Sequence, residues 1–241
     1  MRYGFKFLVA AVLVTTLGIG ASNAQFGKLA GKKDTQQAGS EDGAKNALEV
    51  LAYVTLATDT GMRAAENIAN AFPPEKVAAF REISKKYAEA TKNRKDGNLD
   101  ADQVKLASQA ADELAKLAAD WKSYRKDGVA EARKANLRLG VMLVADGVAA
   151  TKIPGAVEAL KSQAGALSSN PLKAGEVKRL TVSAAALAEA GKQIPDQLQK
   201  FQTVRTIAKQ ICEAEKAELS ADPAPDALKD LKSLQKAVPA D

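Results

Sequence analysis

Two aspartates of this sequence are placed where carboxylate chemistry could occur. Asp59 and Asp146 each lie within one of the two most apolar stretches of the chain. A carboxylate inside an apolar helix has to be paired or protonated, because an isolated buried charge is costly. Two such acids lining one cavity would suit a ligand site or a carboxylate-dependent hydrolase. We expect instead that both acids face solvent near a helix end, beside Gly61 and Gly147 respectively.

The residue counts exclude several kinds of catalytic and metal site. The sequence contains no histidine and a single cysteine, Cys212. Ser-His-Asp catalysis, His-ligated zinc, Cys-clustered zinc and iron–sulfur clusters are therefore excluded. The acidic stretch 96–102 does not match an EF-hand, because Ala101 and Ala107 occupy the glycine and glutamate positions of such a loop. We predict no catalytic residue, no metal and no cofactor.

Two glycines in the second apolar stretch could shape a ligand site. Gly140 and Gly147 are two helical turns apart, which places them on one face of a helix. Glycines let another backbone approach closely, so tight packing between helices is the expectation. The alternative is that these small residues leave space for an apolar ligand between two buried helices. The candidate ligand-binding residues are Asp59, Gly140, Asp146 and Gly147.

Two aromatic residues near one helix end are the candidate contacts with a partner. Trp121 and Tyr124 are about one helical turn apart, with basic residues beside them. Such a pair is typical of the edge of a core next to a solvated basic face, and a contact with a peptide or a lipid headgroup is the alternative. Without Arg2 and Lys6 of the predicted signal peptide the net charge falls from +6 to +4, which is mild, so nucleic acid is not expected as a partner.

The first 24 residues have the pattern of a secretory signal peptide. Arg2 and Lys6 precede an uncharged apolar stretch, and small residues follow at 22–24. The stretch is shorter than the roughly 20 residues of a comfortable membrane span. We expect residues 1–24 to be cleaved, with an uncleaved anchor as the alternative, and the mature protein to be periplasmic or secreted without a membrane span. Residues 25–42 are polar and aperiodic, which predicts a flexible tether.

The rest of the chain has the composition and periodicity of an all-α protein. Alanine is abundant and aromatic residues are only 5%, which favours helices over strands. We predict a single-domain antiparallel bundle of about seven to eight helices over residues 43–220. Its last helix is predicted to begin at Pro195, and residues 221–241 are predicted to form a proline-rich break and a short C-terminal helix.

Similar landmarks recur in the same order in two parts of the chain. Residues 44–126 and 131–194 each contain an apolar helix with an aspartate, a proline break, an amphipathic helix, a polar turn and a heptad-spaced helix. In this correspondence, Pro74 matches Pro154 and Leu114 matches Leu187. Chance alignment of alanine-rich helices is the alternative. We predict an internal duplication of a three-helix unit, whose two copies complete one core.

These observations favour a protein that works by binding. We predict an exported, non-enzymatic helical bundle that binds another protein of the cell envelope or outside the cell. A carrier of an apolar small molecule or lipid, held between the helices at about 44–71 and 131–152, is the alternative. Cys212 is either a buried small apolar residue or a free thiol that links two copies of the chain in a homodimer.

Overall fold

The computed structural model describes residues 34–92, 99–219 and 230–238, with side chains described from residue 42 onward. Every regular element in these ranges is helical, so the predicted all-α class is confirmed. The described residues from Ser40 onward belong to one compact unit, and the described residues before Ser40 are assigned to another. The α-helices are α1 (Asp34–Ala71), α2 (Ala78–Lys92), α3 (Ala101–Ala115), α4 (Val129–Leu167), α5 (Ala174–Ala214) and α6 (Leu231–Ala237).

Three long helices, α1, α4 and α5, contain 38, 39 and 41 residues. Helices α4 and α5 form an antiparallel hairpin, and the turn between them, residues 168–173, is called the tip here. Helix α1 runs antiparallel to α4, so that it is parallel to α5. The positions that fix this register are Gly43 against Ala159, Gly61 against Met142 and Phe201, Asn67 against Arg138, Gly191 against Ile153, and Asn136 against Arg205.

The short helices α2 and α3 begin where the sequence predicts. Helix α1 ends at Ala71, and Pro73 and Pro74 lead into a 3-10 turn before α2, because proline suits a first helical turn but not a helix interior. Asp100 caps α3: its carboxylate accepts the Gln103 backbone N–H at 2.8 Å, and the Gln103 side chain accepts the Asp100 N–H at 3.1 Å. This capping box fixes the start of α3.

Two predicted proline breaks are absent from the structure. Pro154 lies inside α4 and Pro195 lies inside α5, so neither begins a new helix. Each proline removes one backbone hydrogen bond, from the carbonyl groups of Ala150 and Gly191 respectively. All four residues are exposed, so water can hydrate the freed carbonyls and both helices continue. The described residues accordingly contain six α-helices rather than seven or eight.

Other predicted boundaries also shift. Helix α1 begins at Asp34, so residues 34–42 of the predicted tether are helical, while 25–33 and the predicted signal peptide lie outside the described residues. Helix α3 ends at Ala115 and continues as a 3-10 helix over Lys116–Ser123, short of the predicted end near Lys126. Residues 220–229 of the predicted proline-rich break are also outside the described residues, and α6 follows at Leu231–Ala237.

The core is built largely from alanine and aliphatic side chains on the three long helices. Small residues let helix axes approach closely, and the buried faces of α1, α4 and α5 contain many alanines. The segment Lys126–Leu167 is long and apolar enough, by length and composition, to cross a membrane, and its most apolar 18-residue window has a mean hydropathy of 1.3. Half of that apolar window is buried inside the protein, and a core helix has the same composition.

Candidate functional site

The centre of the bundle contains a layer of residues from all three long helices. A Cβ built on Gly61 of α1 would lie 3.1 Å from Phe201 Cζ and 3.4 Å from Met142 Cγ, so the three helices meet there without spare room. One turn nearer the tip, the corresponding positions are Ala57, Asp146 and Gln197. Their exposed fractions are 1%, 2% and 3%. We call these three residues the Asp146 layer.

Asp146 is a buried carboxyl group, which corrects the expectation that it faces solvent. Its Oδ2 atom has no hydrogen-bond partner. Burial raises the pKa of Asp146 from 3.8 to about 7, because the ionised form is poorly solvated inside the bundle. The sequence placed this aspartate correctly in an apolar helix. Its burial follows from the packing of α1 and α5 on both sides of α4, which the sequence of α4 does not reveal.

Asp59 lies on α1 but is directed toward a different helix. It is half-buried, and one of its oxygens accepts a hydrogen bond from the Tyr87 hydroxyl of α2. Nearby, the Ser84 hydroxyl of α2 donates to Glu66 of α1 at 2.7 Å. Asp59 does not contribute to the raised pKa of Asp146. The two aspartates therefore have separate environments, and the structure does not join them into the paired-acid site that was the alternative for these residues.

The two candidate glycines of α4 also have different surroundings. Gly140 is buried, whereas Gly147 is exposed and a Cβ built on it would meet nothing within 4 Å. A close contact between a glycine and a helix occurs elsewhere, at Gly128, where an added Cβ would lie 2.6 Å from the Ala71 Cα. Gly140 and Gly147 consequently do not form one face for close packing, and the prediction that they do is wrong.

The end of the bundle opposite the tip is called the base here. A row of buried polar residues in the half of α4 nearer the base was not identified from the sequence. Arg138 is 3% exposed, and its Nη1 donates to Asn67 Oδ1 of α1 at 2.7 Å. The Asn67 amide in turn donates to Glu131. On the other side, Arg205 Nε of α5 donates to Asn136 Oδ1 at 3.1 Å. These bonds fix the register of α1 and α5 on α4, because misalignment by one turn would break them.

Trp121 and Tyr124 lie together at the base of the bundle. Their rings are stacked, with centroids 6.3 Å apart and planes 3° apart, and both side chains are half-buried against the core. Lys122 lies over the Trp121 ring at 5.9 Å. The Tyr124 hydroxyl donates to Glu215, and this hydrogen bond raises the Tyr124 pKa. This arrangement matches the edge of a core, and it joins the segment before α4 to the end of α5.

Cys212 has 0% exposure on the last turns of α5. Burial raises the pKa of its thiol. A disulfide with a second copy of the chain would need the sulfur to reach the surface, so it requires local opening of the base. The structure thus favours the buried apolar alternative for this residue over the homodimer contact.

The tip carries an apolar side chain that the sequence interpretation passed over. Leu172 is 92% exposed, and the only other exposed large hydrophobic residue in the described ranges is Val182, at 38%. Asn170 accepts the Leu172 backbone N–H at 3.0 Å, and Pro171 precedes it in a 3-10 turn. The signal in the sequence was a lone leucine inside a capped Asn-Pro turn, which has no helical face to join.

Within the described ranges, no three acidic or cysteine side chains converge as metal ligands would. Comparison of the chain with protein-family models, with curated proteins and with solved structures gives no match. The interpretation of its function therefore depends on the residues and contacts of this chain alone.

Proposed function

We propose that this chain is an exported, non-enzymatic helical bundle that binds another protein of the cell envelope or outside the cell. The observation that carries the proposal is Leu172, whose side chain is 92% exposed at the tip. Asn170 and Pro171 hold the turn that presents it, so little conformational freedom is lost on binding. An apolar side chain at the end of a long hairpin is well placed to enter a pocket on a partner.

The experiment replaces Leu172 with a photoreactive phenylalanine analogue in the producing cell. We expect irradiation to give one discrete adduct with another exported protein. Ser162, an exposed residue on α4, is the matched control position and should give no such adduct. Identical adducts at both positions, or none at 172, would contradict the proposal.

Affinity measurements then test the contribution of the side chain. Burying a leucine contributes about 1.5–3 kcal/mol, so Leu172→Ser should weaken binding of the captured protein by roughly 10-fold to 100-fold. Val182→Ser, at a less exposed apolar position, should have a smaller effect. Unchanged affinity of the Leu172→Ser protein would show that the tip is not the contact.

The packing at Gly61 supports protein binding over an apolar carrier. Phe201 and Met142 fill the space between α1, α4 and α5 there, where a ligand cavity between the apolar helices would be expected. Native mass spectrometry of the protein purified under gentle conditions separates the two functions. A small extra mass removed by organic extraction would favour the carrier, and a clean mass favours the protein-binding function.

The internal duplication is part of this proposal and concerns how the bundle arose. The proline before α2 has a counterpart in Pro154, and Lys173 stands at the start of α5 where Asp100 stands at the start of α3, without a side-chain capping bond. In the second copy, however, the proline does not end the helix. A duplicated three-helix unit whose second copy fused its helices into a longer hairpin accounts for both observations.

A further inference from the structure

The α4–α5 hairpin has two interruptions of its backbone hydrogen bonds at one level. Pro154 cannot donate to the carbonyl of Ala150, and Pro195 cannot donate to that of Gly191. Gly191 lies against Ile153, where an added Cβ would be 3.0 Å from Ile153 Cγ2. The two missing bonds are therefore side by side in the antiparallel pair, and this level is the weakest cross-section of the hairpin.

Some buried polar atoms of the hairpin also lack hydrogen-bond partners on the tip side of that level. Among the described residues, Gln163 Oε1, Arg179 Nε and Ser183 Oγ are buried side-chain atoms without a hydrogen-bond partner. A buried polar atom without a partner is less stable than the same atom in contact with water. Local opening of this half lets water reach all three atoms, so their hydration offsets part of the cost of opening.

The Asp146 layer lies one turn from the missing bonds, on the base side. Asp146 Oδ2 is buried without a hydrogen-bond partner. The other residues of its layer are Ala57, whose side chain offers no hydrogen bond, and Gln197, a buried amide that does not bond to Oδ2. An ionised Asp146 needs water, and the interrupted level is the adjacent place where the helices can separate to admit it.

We propose that the tip half of the hairpin, residues 147–190, opens as a local unit when Asp146 loses its proton, and that the two helices bend within 150–154 and 191–195, where the backbone hydrogen bonds are missing. The protonated form of Asp146 thus favours the closed state of the tip half. The device lets the pH around an exported protein set how often its tip half is open.

The raised pKa of Asp146 is not caused by a neighbouring charge. Burial is the only cause of its raised pKa, so the titration belongs to Asp146 itself and not to a coupled pair. Charged groups at or near this level on the neighbouring helices are Asp59 and Arg63 of α1, Asp196 and Lys200 of α5, and, at the start of α6, its N-cap Asp230 and Lys232.

Hydrogen exchange of the purified protein, read by mass spectrometry and corrected for intrinsic rates, tests the proposal. Linkage between a buried pKa of about 7 and a solvated pKa of 3.8 predicts that opening of residues 147–190 increases about 30-fold between about pH 5.5 and about pH 8. Residues 198–212, in the base half, should stay better protected than the tip half at both pH values. Equal protection of both halves would show a single cooperative unit and overturn the proposal.

Two carboxyl variants identify the group responsible. In Asp146→Asn the exchange of the tip half should no longer change between the two pH values. Glu158→Gln removes an exposed acid from the same half and should retain the 30-fold change. If the Asp146→Asn protein keeps the pH dependence, Asp146 is not the group that controls opening of the tip half.

A proline variant tests the bending point separately. Replacing Pro154 and Pro195 together with alanine restores both backbone hydrogen bonds, so the tip half should become better protected at both pH values. The ratio between the pH values should stay the same, because Asp146 is intact. Unchanged protection in this double variant would show that the helices do not bend at the prolines.

Discussion

Gly128 lies directly against the backbone of Ala71. A Cβ on Gly128 would be 2.6 Å from the Ala71 Cα, and the Arg125 N–H donates to the Ala71 carbonyl at 2.8 Å in the same place. The end of α1 and the start of α4 are thus joined through backbone atoms. Because backbone atoms cannot turn aside as a flexible side chain can, this contact leaves room only for glycine.

Replacing glycine by alanine should have opposite effects at two positions. Gly128→Ala forces the start of α4 away from Ala71 and should lower the free energy of unfolding by about 1–3 kcal/mol. Gly147 is exposed in mid-helix with open space around it, so Gly147→Ala should raise that free energy by about 0.5–1 kcal/mol. Urea denaturation of both variants checks the pair. A destabilised Gly147→Ala would mean that its surroundings are more crowded than the structure has them.

The stability of the protein should fall as the pH rises toward neutrality. The folded pKa of Asp146 is about 7 and its unfolded pKa is 3.8. Between these values the folded state holds a proton that the unfolded state has lost, so each pH unit costs stability until the folded group also ionises. Asp146 should therefore lower the free energy of unfolding by about 3 kcal/mol between about pH 5 and about pH 8.

Comparison with Asp146→Asn isolates this contribution, because all other titrating groups are common to both proteins. The difference in urea unfolding free energy between the two proteins should grow with pH over this range. A constant difference would mean that Asp146 is ionised, or hydrated, throughout.

The residue Lys216, just after the end of α5, has a left-handed backbone conformation, which is unfavourable for a residue with a Cβ. Lys216 has φ of 52°, and the Ala217 N–H donates to the Cys212 carbonyl at 2.8 Å, which is the pattern of a Schellman motif. Lys216→Gly relieves the left-handed strain and should stabilise the protein by about 0.5–1 kcal/mol. Lys216→Ala keeps a Cβ and should change little. Thermal unfolding of both variants distinguishes the strain from loss of the lysine charge.

The capping box of α3 should contribute measurably to stability. Asp100→Ala leaves the Gln103 N–H without its acceptor and should cost about 1 kcal/mol. Asp102→Ala removes an exposed acid from the same first turn and should cost less, because only its interaction with the helix dipole and Lys105 is lost. Equal losses in the two variants, measured by urea denaturation, would show that charge and not capping stabilises this helix end.

Local features of the fold were predicted from the sequence more accurately than the burial of individual residues. The α1–α2 break at Pro73 and Pro74 and the capping of α3 by Asp100 follow from neighbouring residues alone, and both are present. Pro154 and Pro195 follow the same local rule, yet α4 and α5 continue because solvent hydrates the freed carbonyls. Whether a proline ends a helix depends on what surrounds it in three dimensions.

The candidate site shows the same limit. Asp146 was noticed because an acid in an apolar stretch is unusual, but its burial comes from α1 and α5, which are distant in sequence. The Asn67–Arg138 bond and the exposed Leu172 have no periodic signature, since one joins residues far apart in the chain and the other belongs to a turn. Trp121 and Tyr124, in contrast, were placed at the edge of the core from their spacing and neighbours.

The chain has a single thiol, on the buried Cys212, and this thiol can serve as a natural probe of unfolding. A thiol reagent can modify it only when the base of the bundle opens. Opening of residues 147–190 alone leaves it protected. The labelling rate of Cys212 therefore reports how often the base opens, without any engineered probe. Amide exchange in residues 147–190 reports how often the tip half opens, so the opening of each half can be measured separately in the unmodified protein.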